Sequence, residues 1–419
     1  FQHLLEAPEP TKPANSSLDS SRANCRATDG NQRGDLEISC GAPCARYVLG
    51  GRHEAPMLDL KAAGIGVLWR FAKVLRRWGI ASLGPLQLFE IHRVSPQRFP
   101  RREVFFLSEK AIRAPNLPDQ PVPGNDYYPA LGYRQLPDAR ITSNRRVSGV
   151  CVGDSFLIQE AAGSGPWNIR VGSPTVGGIL RQDQASALIR VPKPVAMIPR
   201  GIFVGSWSPH NWFHWLIDTL PAVSLCQGLP GEYDSFPLIL PRGALDKESW
   251  REPFELVRGE RQVTYVSPNH YARFKSLVWV DSPTNPGPPA AGTLRRPKYT
   301  MHPTGMQAFR NQMFEALGLD EALYDPHRKT FIMRNQAGNR PYNQADLVAV
   351  AQGFGFEPVW LEELSFRESV IIMLESRYVI GPHGAGWANA LFCRPGTQGL
   401  MWTWRDSILD NWFSNIAQV

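Results

Sequence analysis

Residues 378–394 read YVIGPHGAGWANALFCR, and they combine an apolar strand, a loop of small residues and a helix-like run. The strand ends at Ile380, and Gly381-Pro382 turns the chain into the loop. In open α/β sheets, loops at the carboxyl ends of parallel strands bind ligands. Small residues let the backbone approach a phosphate, and the first N–H groups of a following helix attract it. The stretch predicts a phosphate site to which His383 adds a hydrogen bond or a positive charge, although a tight turn with a structural histidine would have the same pattern.

Outward from this stretch, short apolar runs alternate with helical patterns. After residue 303, strands are predicted at 330–333, 356–359 and 378–380, and helices at 304–317, 343–353 and 365–375. Earlier in the chain, β-like runs occupy 104–107, 155–158 and 201–204, followed by a helix at 212–225 and buried strands at 236–240 and 276–280. Strands separated by helices of this length form parallel sheets with right-handed crossovers. The predicted fold class is therefore α/β.

The segment 283–303 contains six prolines, a density that neither a helix nor a central strand tolerates. We expect a domain boundary there, with one domain at 57–290 and a second at 291–419. Two such halves around a proline-rich hinge predict two Rossmann-like domains facing a cleft. Residues 1–56 are rich in Pro, Ser, Asn, Gly and Arg and have no apolar period, so they are predicted to be a loosely ordered extension.

Residues 61–80, KAAGIGVLWRFAKVLRRWGI, are predicted to form a basic amphipathic helix. Its apolar side chains are Val67, Leu68, Phe71, Val74, Leu75 and Trp78, and the basic side chains between them are Arg70, Lys73, Arg76 and Arg77. A helix of this kind lies on an anionic membrane or packs as a surface helix on the body of the protein. Both a peripheral membrane contact and ordinary packing are consistent with the pattern.

The composition limits the class of protein. Of the 419 residues, 43% are hydrophobic and 20% are charged, as in globular proteins, and no apolar run is long enough for a membrane span. Basic residues exceed acidic ones by 45 − 38 = 7, which favours an anionic partner. They are scattered and accompany no nucleic-acid-binding motif, so no nucleic acid is expected. Six cysteines without C-x-x-C spacing make no disulfide scaffold and favour a reducing, cytoplasmic compartment.

A second loop, FIMRNQAGNRPYN at 331–343, also leaves a strand end, and it carries Arg334 and Arg340. Guanidinium groups match phosphate oxygens in bidentate pairs. Beside the loop at residues 383–386, called the glycine loop below, two arginines would hold a diphosphate. A solvated loop, or an arginine paired with Glu362 or Glu363, is the alternative.

A third segment, GSWSPHNWFHWLIDTLP at 205–221, places His214 and Asp218 on one face of a predicted helix, with Asn211 a turn before them. The aromatic residues around them are Trp207, Trp212, Phe213 and Trp215. Aromatic faces commonly hold sugar rings, and a histidine or an aspartate can act as a base. A core helix in which the two side chains satisfy one another is the alternative. A zinc ion on His210 and His214 would lack a third ligand, so no metal is expected.

Three ordered motifs resemble glycosyltransferase family 61. They are N-W-F-H-W-L-I-D-x-L-P, R-N-x-x-x-N-R-x-x-N and V-I-G-P-H-G-A-G-W-A-N-x-L-F, and they cover roughly residues 200 to 400. The family includes plant xylosyl- and arabinosyltransferases, animal N-acetylglucosaminyltransferases that act on O-linked sugars, and many bacterial members connected with capsular polysaccharide synthesis. The resemblance implies a GT-B fold, a nucleotide-sugar donor and inversion at the anomeric carbon.

The resemblance also implies roles for the two predicted domains, with the acceptor on the side of 57–290 and the donor on 291–419. The implied donor diphosphate residues are Arg334, Arg340, His383, Gly384, Ala385, Gly386 and Asn389, and the acceptor-side or structural residues are Asn211, Trp212, Trp215 and Asn343. GT-B enzymes usually stabilise the departing diphosphate with side chains and helix dipoles rather than a metal ion. Inversion needs one base, and Asp218 is preferred to His214 because a carboxylate can also orient the imidazole.

Three positions depart from the usual pattern of the family. Gln344 stands where an acidic residue is common, Ala222 stands where an arginine is common, and GLMWTW at 399–404 lacks a glutamate often found there. The predicted function is transfer of a sugar from a nucleotide diphosphate sugar to a glycan hydroxyl in capsular or cell-surface polysaccharide synthesis, with no cofactor. A non-catalytic nucleotide-sugar or glycan-binding protein that retains the fold is the alternative.

Overall fold

The computed structural model has a larger and a smaller sheet, two further two-stranded pairs, and helices packed around them. It describes residues 60–78, 80, 82–83, 86–93, 99–112, 127–143, 148–158, 179–182, 186–190, 196–204, 211–266, 271–286, 299–335, 342–403 and 412–419. The predicted extension at 1–56 and the side chains of Trp207, His210 and Arg340 lie outside the described residues.

The helices are α1 Leu60–Arg77, α2 Leu220–Leu225, α3 Glu248–Arg258, α4 Pro303–Leu317, α5 Gln344–Gly353, α6 Phe366–Glu375 and α7 Trp412–Ile416. A π-helix at His214–Thr219 leads directly into α2, and short 3₁₀ segments occupy Cys226–Gly228, Gly231–Tyr233, Glu321–Leu323, Leu361–Glu363 and Ala385–Phe392. Within the described part of the chain, none of the helices has the length and apolar character needed to cross a bilayer.

The strands are β1 Ser82–Leu83, β2 Leu86–Arg93, β3 Glu103–Phe106, β4 Glu109–Lys110, β5 Tyr127–Tyr128, β6 Leu131–Ser143, β7 Ser148–Val152, β8 Ser155–Ile158, β9 Ile179–Gln182, β10 Ser186–Arg190, β11 Ala196–Phe203, β12 Leu238–Pro241, β13 Val263–Val266, β14 Tyr271–Val280, β15 Thr284–Pro286, β16 Tyr299–Met301, β17 Arg328–Ile332, β18 Glu357–Val359, β19 Ser376–Pro382 and β20 Gln398–Trp402. The α/β class is confirmed.

The smaller sheet has the order β18-β17-β19-β20 and is parallel throughout. Its strands alternate with α5, α6 and a 3₁₀ segment, as the sequence between 304 and 380 predicts. Phe331 pairs with Ile380, so β17 and β19 end side by side. The loops that follow them therefore meet at one edge of the sheet.

The larger sheet is mixed, with the order β13-β12-β11-β14-β6-β7-β8-β2-β10-β9. β13, β12, β11 and β14 run parallel, whereas β14 pairs with β6, and β6 with β7, in antiparallel fashion. The β6–β7 hairpin thus continues the four parallel strands with antiparallel ones, and β10 also pairs with β2 and β9 in antiparallel fashion. The two-domain GT-B arrangement remains a prediction.

One hydrophobic core extends across the predicted boundary at 290/291. Trp215 and Phe254 from the N-terminal side share a cluster of buried side chains with Phe309 and Phe392 from the C-terminal side. A polar contact joins the same two parts of the chain. The carboxylate of Glu252 in α3 accepts hydrogen bonds from the first backbone N–H groups of α6, those of Phe366 at 2.7 Å and Arg367 at 3.2 Å, where negative charge is favourable at a helix N-terminus.

A buried ion pair holds the carboxyl end of β14 against β6. Asp281 follows β14 directly, and its carboxylate accepts hydrogen bonds from the guanidinium groups of Arg134 and Arg101 and, at 3.1 Å, from the backbone N–H of Gly132. Asp281 and Arg134 are both buried. A Cβ at Gly132 would lie 2.1 Å from the carbonyl oxygen of Glu103, so no larger residue fits at this approach of β3 to β6.

We expect Asp281→Asn to destabilise the protein by about 3–5 kcal/mol, because a buried arginine charge would lose its counter-ion. Asp138→Asn is the matched control, since Asp138 forms a comparable but solvent-exposed pair with Arg273 at 2.5 Å. Solvent screens that pair, so its loss should change stability far less. Denaturant unfolding measures the free energy of unfolding of both variants. Equal losses of stability would mean that the buried Asp281 pair contributes no more than an exposed one.

Candidate active site

His214 and Asp218 form a buried pair on the π-helix. The imidazole Nδ1 lies 2.6 Å from the Asp218 carboxylate Oδ2, and each residue is 6% exposed. Asn211 begins this helical segment, because its side-chain oxygen accepts from the Phe213 N–H at 3.0 Å and its carbonyl accepts from the Trp215 N–H at 2.9 Å. Single turns of π-helix occur often at functional sites.

Asp218 is the centre of a hydrogen-bond network that reaches well beyond its own helix. Its second oxygen, Oδ1, accepts from the Thr284 hydroxyl at 2.6 Å and from the Tyr299 hydroxyl, and its backbone carbonyl accepts from the Ser282 hydroxyl at 3.1 Å. Burial raises the pKa of Tyr299 well above its usual value, and the Asp218 charge raises this pKa further. Tyr299 therefore stays protonated and donates.

This network has a consequence for the predicted base. Both carboxylate oxygens of Asp218 are engaged, and a carboxylate that accepts from Nδ1 fixes the imidazole with its proton on that atom. The lone pair of His214 then lies on Nε2. The geometry suits Asp218 to orienting the imidazole and His214 to accepting a proton.

Helix α7 connects this pair with the glycine loop. The Trp412 ring stacks on Phe213 with 5.3 Å between centroids and lies 5.5 Å from the His214 ring. The next residue, Phe413, lies 5.3 Å from Phe213 and 5.3 Å from His383. The third and first segments singled out in the sequence are thus adjacent in space, with α7 packed against both.

The second predicted loop meets the first at the ends of β17 and β19. The Arg334 guanidinium donates to the backbone carbonyl of His383 at 3.2 Å. Gln344, which replaces a residue that is commonly acidic, is buried, and its Oε1 accepts from the Arg334 backbone N–H at 3.0 Å and the Tyr342 hydroxyl at 2.5 Å. A neutral amide oxygen therefore satisfies two donors that would also suit a carboxylate. Asn343 precedes α5 and makes no side-chain capping bond there.

The helix-like run after the glycine loop is a 3₁₀ helix, Ala385–Phe392. Trp387 makes two hydrogen bonds back to the loop. Its Nε1 donates to the Pro382 carbonyl at 3.1 Å, and its backbone N–H donates to the Gly384 carbonyl at 3.2 Å. A phosphate would consequently meet the amides ahead of Trp387, those of residues 384–386. Small residues do precede a helix here, as predicted. The helix is a 3₁₀ helix, however, and not the α-helix whose dipole would attract a phosphate.

Asn389 adds an acceptor to this loop. Its Nδ2 donates to the Gly386 carbonyl at 2.9 Å, and its buried Oδ1 has no hydrogen-bond partner among the described residues. An oxygen acceptor repels a phosphate oxygen but accepts from a hydroxyl or an N–H group. The orientation of Asn389 is therefore better suited to a sugar hydroxyl or a base N–H than to the diphosphate role that the resemblance implies.

A cavity of about 1240 Å³ joins residues of the two motifs. Asn211 and Trp212 line one part of it, and Ala385, Gly386 and Asn389 line another. The remaining lining comes from 247–252 and Glu255 on α3 and its approach, and from 361–366 and Ser369 at the start of α6. His214, Asp218 and Arg334 do not line it.

Trp215 has a structural position. It is fully buried, its ring stacks on Trp250 at 5.9 Å between centroids, and its Nε1 donates to the Trp250 carbonyl at 3.1 Å. Trp212 lies 6.2 Å from Trp250 and 6.1 Å from Phe366, at the wall of the cavity. Of the predicted aromatic residues described, Trp212 is the one placed to meet a ligand. Among the described His, Cys, Asp and Glu side chains, no group of three is placed to hold a metal ion.

Residues 212–400 match the family model of Glycosyltransferase 61. The match runs from Trp212 at the cavity wall to Leu400 in β20, so it includes the His214–Asp218 pair, Arg334 and the glycine loop. It supports the glycosyltransferase 61 family and, with it, a transferase activity that needs a sugar donor and an acceptor. No curated protein matches the chain.

Sequence reasoning missed Thr284, Tyr299 and α7 as parts of the candidate site. Thr284 and Tyr299 lie in the proline-rich segment interpreted as a hinge, and Trp412 follows the family match. One signal was present, because polar residues at 281–284 directly follow the buried strand β14. The carboxyl end of a parallel strand is where such side chains gather.

We expect Thr284→Val to destabilise the protein by about 1.5–3 kcal/mol, because it removes a hydrogen bond to a charged acceptor. Thr330→Val is a matched control, since Thr330 is equally buried and its hydroxyl bonds to the neutral Ser376 hydroxyl at 2.7 Å. That loss should be about 0.5–1.5 kcal/mol. Chemical denaturation compares the two, and a Thr284→Val loss no larger than the control would show that Asp218 does not act as a charged centre.

Proposed function

We propose that this protein is an inverting glycosyltransferase that moves a sugar from a nucleotide diphosphate sugar to a glycan hydroxyl. The observation that carries the proposal is the shared cavity, in which Asn211 and Trp212 face the same space as Ala385, Gly386 and Asn389. A cavity of about 1240 Å³ is large enough for a small-molecule ligand. The Glycosyltransferase 61 match supports the reaction class.

The donor diphosphate is proposed to bind at the ends of β17 and β19. Arg334, Arg340 and His383 would supply positive charge, and the amides of residues 384–386 would supply N–H donors. These groups stabilise the negative charge that develops as the nucleotide diphosphate leaves, which is commonly the largest catalytic contribution. Asn389 lines the cavity and its Oδ1 is buried, so a hydroxyl of the transferred sugar reaches this acceptor only when neighbouring side chains move.

The acceptor hydroxyl is proposed to lose its proton to His214 Nε2 while Asp218 orients the ring. This assignment differs from the preference for Asp218 as the base, because Thr284, Tyr299 and His214 occupy both oxygens of that carboxylate. The pair is 6% exposed, so an acceptor reaches Nε2 only when neighbouring side chains move.

A non-catalytic nucleotide-sugar or glycan-binding protein is the second candidate. His214 and Asp218 are buried and do not line the cavity, as expected for a pair with a purely structural role, and this favours the second candidate. The two candidates share the donor site and differ in turnover.

The cellular setting proposed for the transferase is capsular or cell-surface polysaccharide synthesis, from the cytoplasmic side. Cys151, Cys226 and Cys393 are free thiols, which agrees with a reducing compartment. Burial raises the pKa of each thiol to about 12, so these cysteines stay protonated and unreactive.

Arg334→Ala should weaken binding of a nucleoside diphosphate by about 1.5–3 kcal/mol, the usual loss for a hydrogen bond to a charged group. Arg377→Ala is the control, because Arg377 lies near the opposite end of β19 and stacks on Tyr378 at 5.5 Å. Titration calorimetry with UDP, GDP and CDP first identifies which nucleoside diphosphate binds, and the affinities of the variants for it are then compared. Unchanged affinity in Arg334→Ala, or an equal loss in Arg377→Ala, would remove Arg334 from the donor site.

His214→Gln should lower turnover by about 100-fold or more, since glutamine has no basic nitrogen, and should leave nucleoside diphosphate affinity unchanged. His327→Gln, at an exposed histidine, should change neither quantity. Initial rates with a panel of nucleotide sugars, alongside melting temperatures, provide the measurement.

The outcomes separate the two candidate functions. Wild-type turnover in His214→Gln would place the base elsewhere. Nucleotide binding without transfer or hydrolysis of any donor would favour the non-catalytic protein.

A further inference from the structure

Helix α1 has two apolar faces. Trp69 and Ala72 are buried and contact Leu188 of β10, and they hold the helix against the larger sheet. The apolar residues on the other side remain in solvent, with Val67 67%, Phe71 52%, Val74 45% and Trp78 76% exposed.

Four of the exposed apolar residues form one stripe, and Leu68, which is 41% exposed, lies beside it. At about 100° per residue, Val67, Phe71, Val74 and Trp78 fall within an arc of about 60°, on the side of the helix opposite Trp69 and Ala72. We call these four residues the outer stripe. Helix α1 therefore packs on the body of the protein, one of the two alternatives from the sequence, and does so through Trp69 and Ala72 rather than through the outer stripe.

The charges of α1 are all of one sign. Residues 60–77 contain five basic residues and no acidic residue. Arg70 and Arg77 are exposed and flank the outer stripe, and Lys73 lies over the Trp69 ring at 4.7 Å from its centroid. An apolar stripe beside a one-sided basic flank is the pattern of helices that lie in the headgroup region of a bilayer.

We propose that the outer stripe of α1 docks this protein on a lipid surface that carries anionic headgroups. Phe71 and Trp78 would enter the boundary between headgroups and acyl chains, while Arg70 and Arg77 would meet the lipid phosphates. A second copy of the chain is a poorer occupant, because two antiparallel outer stripes placed face to face would bring their basic flanks together, and α1 has no acidic residue to pair with a basic flank in either orientation. The inference concerns location and does not depend on whether the cavity transfers sugars.

Vesicle co-sedimentation of the full chain tests the proposal. Vesicles of phosphatidylcholine alone are compared with vesicles that contain phosphatidylcholine and phosphatidylglycerol in a ratio of roughly two to one. We expect binding to the mixed vesicles that weakens with added salt, and little binding to the neutral ones. Absence of binding to the mixed vesicles, or equal binding to both, would overturn the proposal.

Variants assign the binding to the helix. Phe71→Ser with Trp78→Ser should lower the partition coefficient by about tenfold or more, and Arg70→Gln with Arg77→Gln should lower it by about tenfold for mixed vesicles alone. Phe354→Ser is the matched control, since Phe354 is 68% exposed at the end of α5. An equal loss in that control, or a dimer in light scattering that the Phe71→Ser and Trp78→Ser pair dissociates, would contradict docking through the outer stripe.

A second readout keeps the lipid surface and the donor site apart. All α1 variants should retain the melting temperature and the nucleotide-induced rise in it, because the substituted side chains are exposed. Retained nucleotide binding with lost lipid binding supports the assignment to α1, whereas loss of both would mean that the substitutions disturb the fold and would contradict a purely superficial role of the stripe.

Discussion

The buried carboxylate of Asp218 is the constraint on which the candidate active site depends. A charge removed from water is tolerated when hydrogen bonds replace the lost solvation, and here the donors come from three separate parts of the chain. His214 lies on the same π-helix, Thr284 begins β15 and Tyr299 begins β16. Asn415 of α7 then donates to the Tyr299 carbonyl at 2.7 Å. Satisfying one carboxylate therefore fixes the π-helix relative to the β14–β15 connection, and it places α7 beside both.

The second organising contact lies at the ends of β17 and β19. Parallel pairing brings the two loops together, and the Arg334 side chain crosses from one to the carbonyl of His383 in the other. Gln344 accepts two hydrogen bonds at this part of the site, which an amide oxygen does as a carboxylate would but without the charge. The cavity then unites this loop with Trp212, and Glu252 ties the surrounding helices α3 and α6 by its contact with the start of α6.

Helix α1 shows the opposite arrangement, with apolar side chains exposed to solvent. The site buries a charge and surrounds it with donors, whereas α1 leaves the outer stripe in water with basic residues at its side. Large exposed apolar patches on a folded protein usually mark a contact surface. For a protein proposed to build surface glycans, a helix that binds anionic lipid would bring the cavity close to membrane-attached acceptors.

The sequence by itself determined the elements of the C-terminal half and the nature of the loops after β17 and β19, because turn residues and apolar periods act locally. It also brought together His214 with Asp218, four residues apart on one helical face. Only the tertiary structure decided the distant partners of Asp218, since Thr284 and Tyr299 are far from it in sequence and lie in a segment without a helical or strand period. Tertiary contacts likewise decided that Trp215 is core, that the run after the glycine loop is a 3₁₀ helix, and which side of α1 faces water. The physical reason is that burial depends on which surfaces meet, and a one-dimensional apolar pattern does not say which of two apolar faces will find a partner.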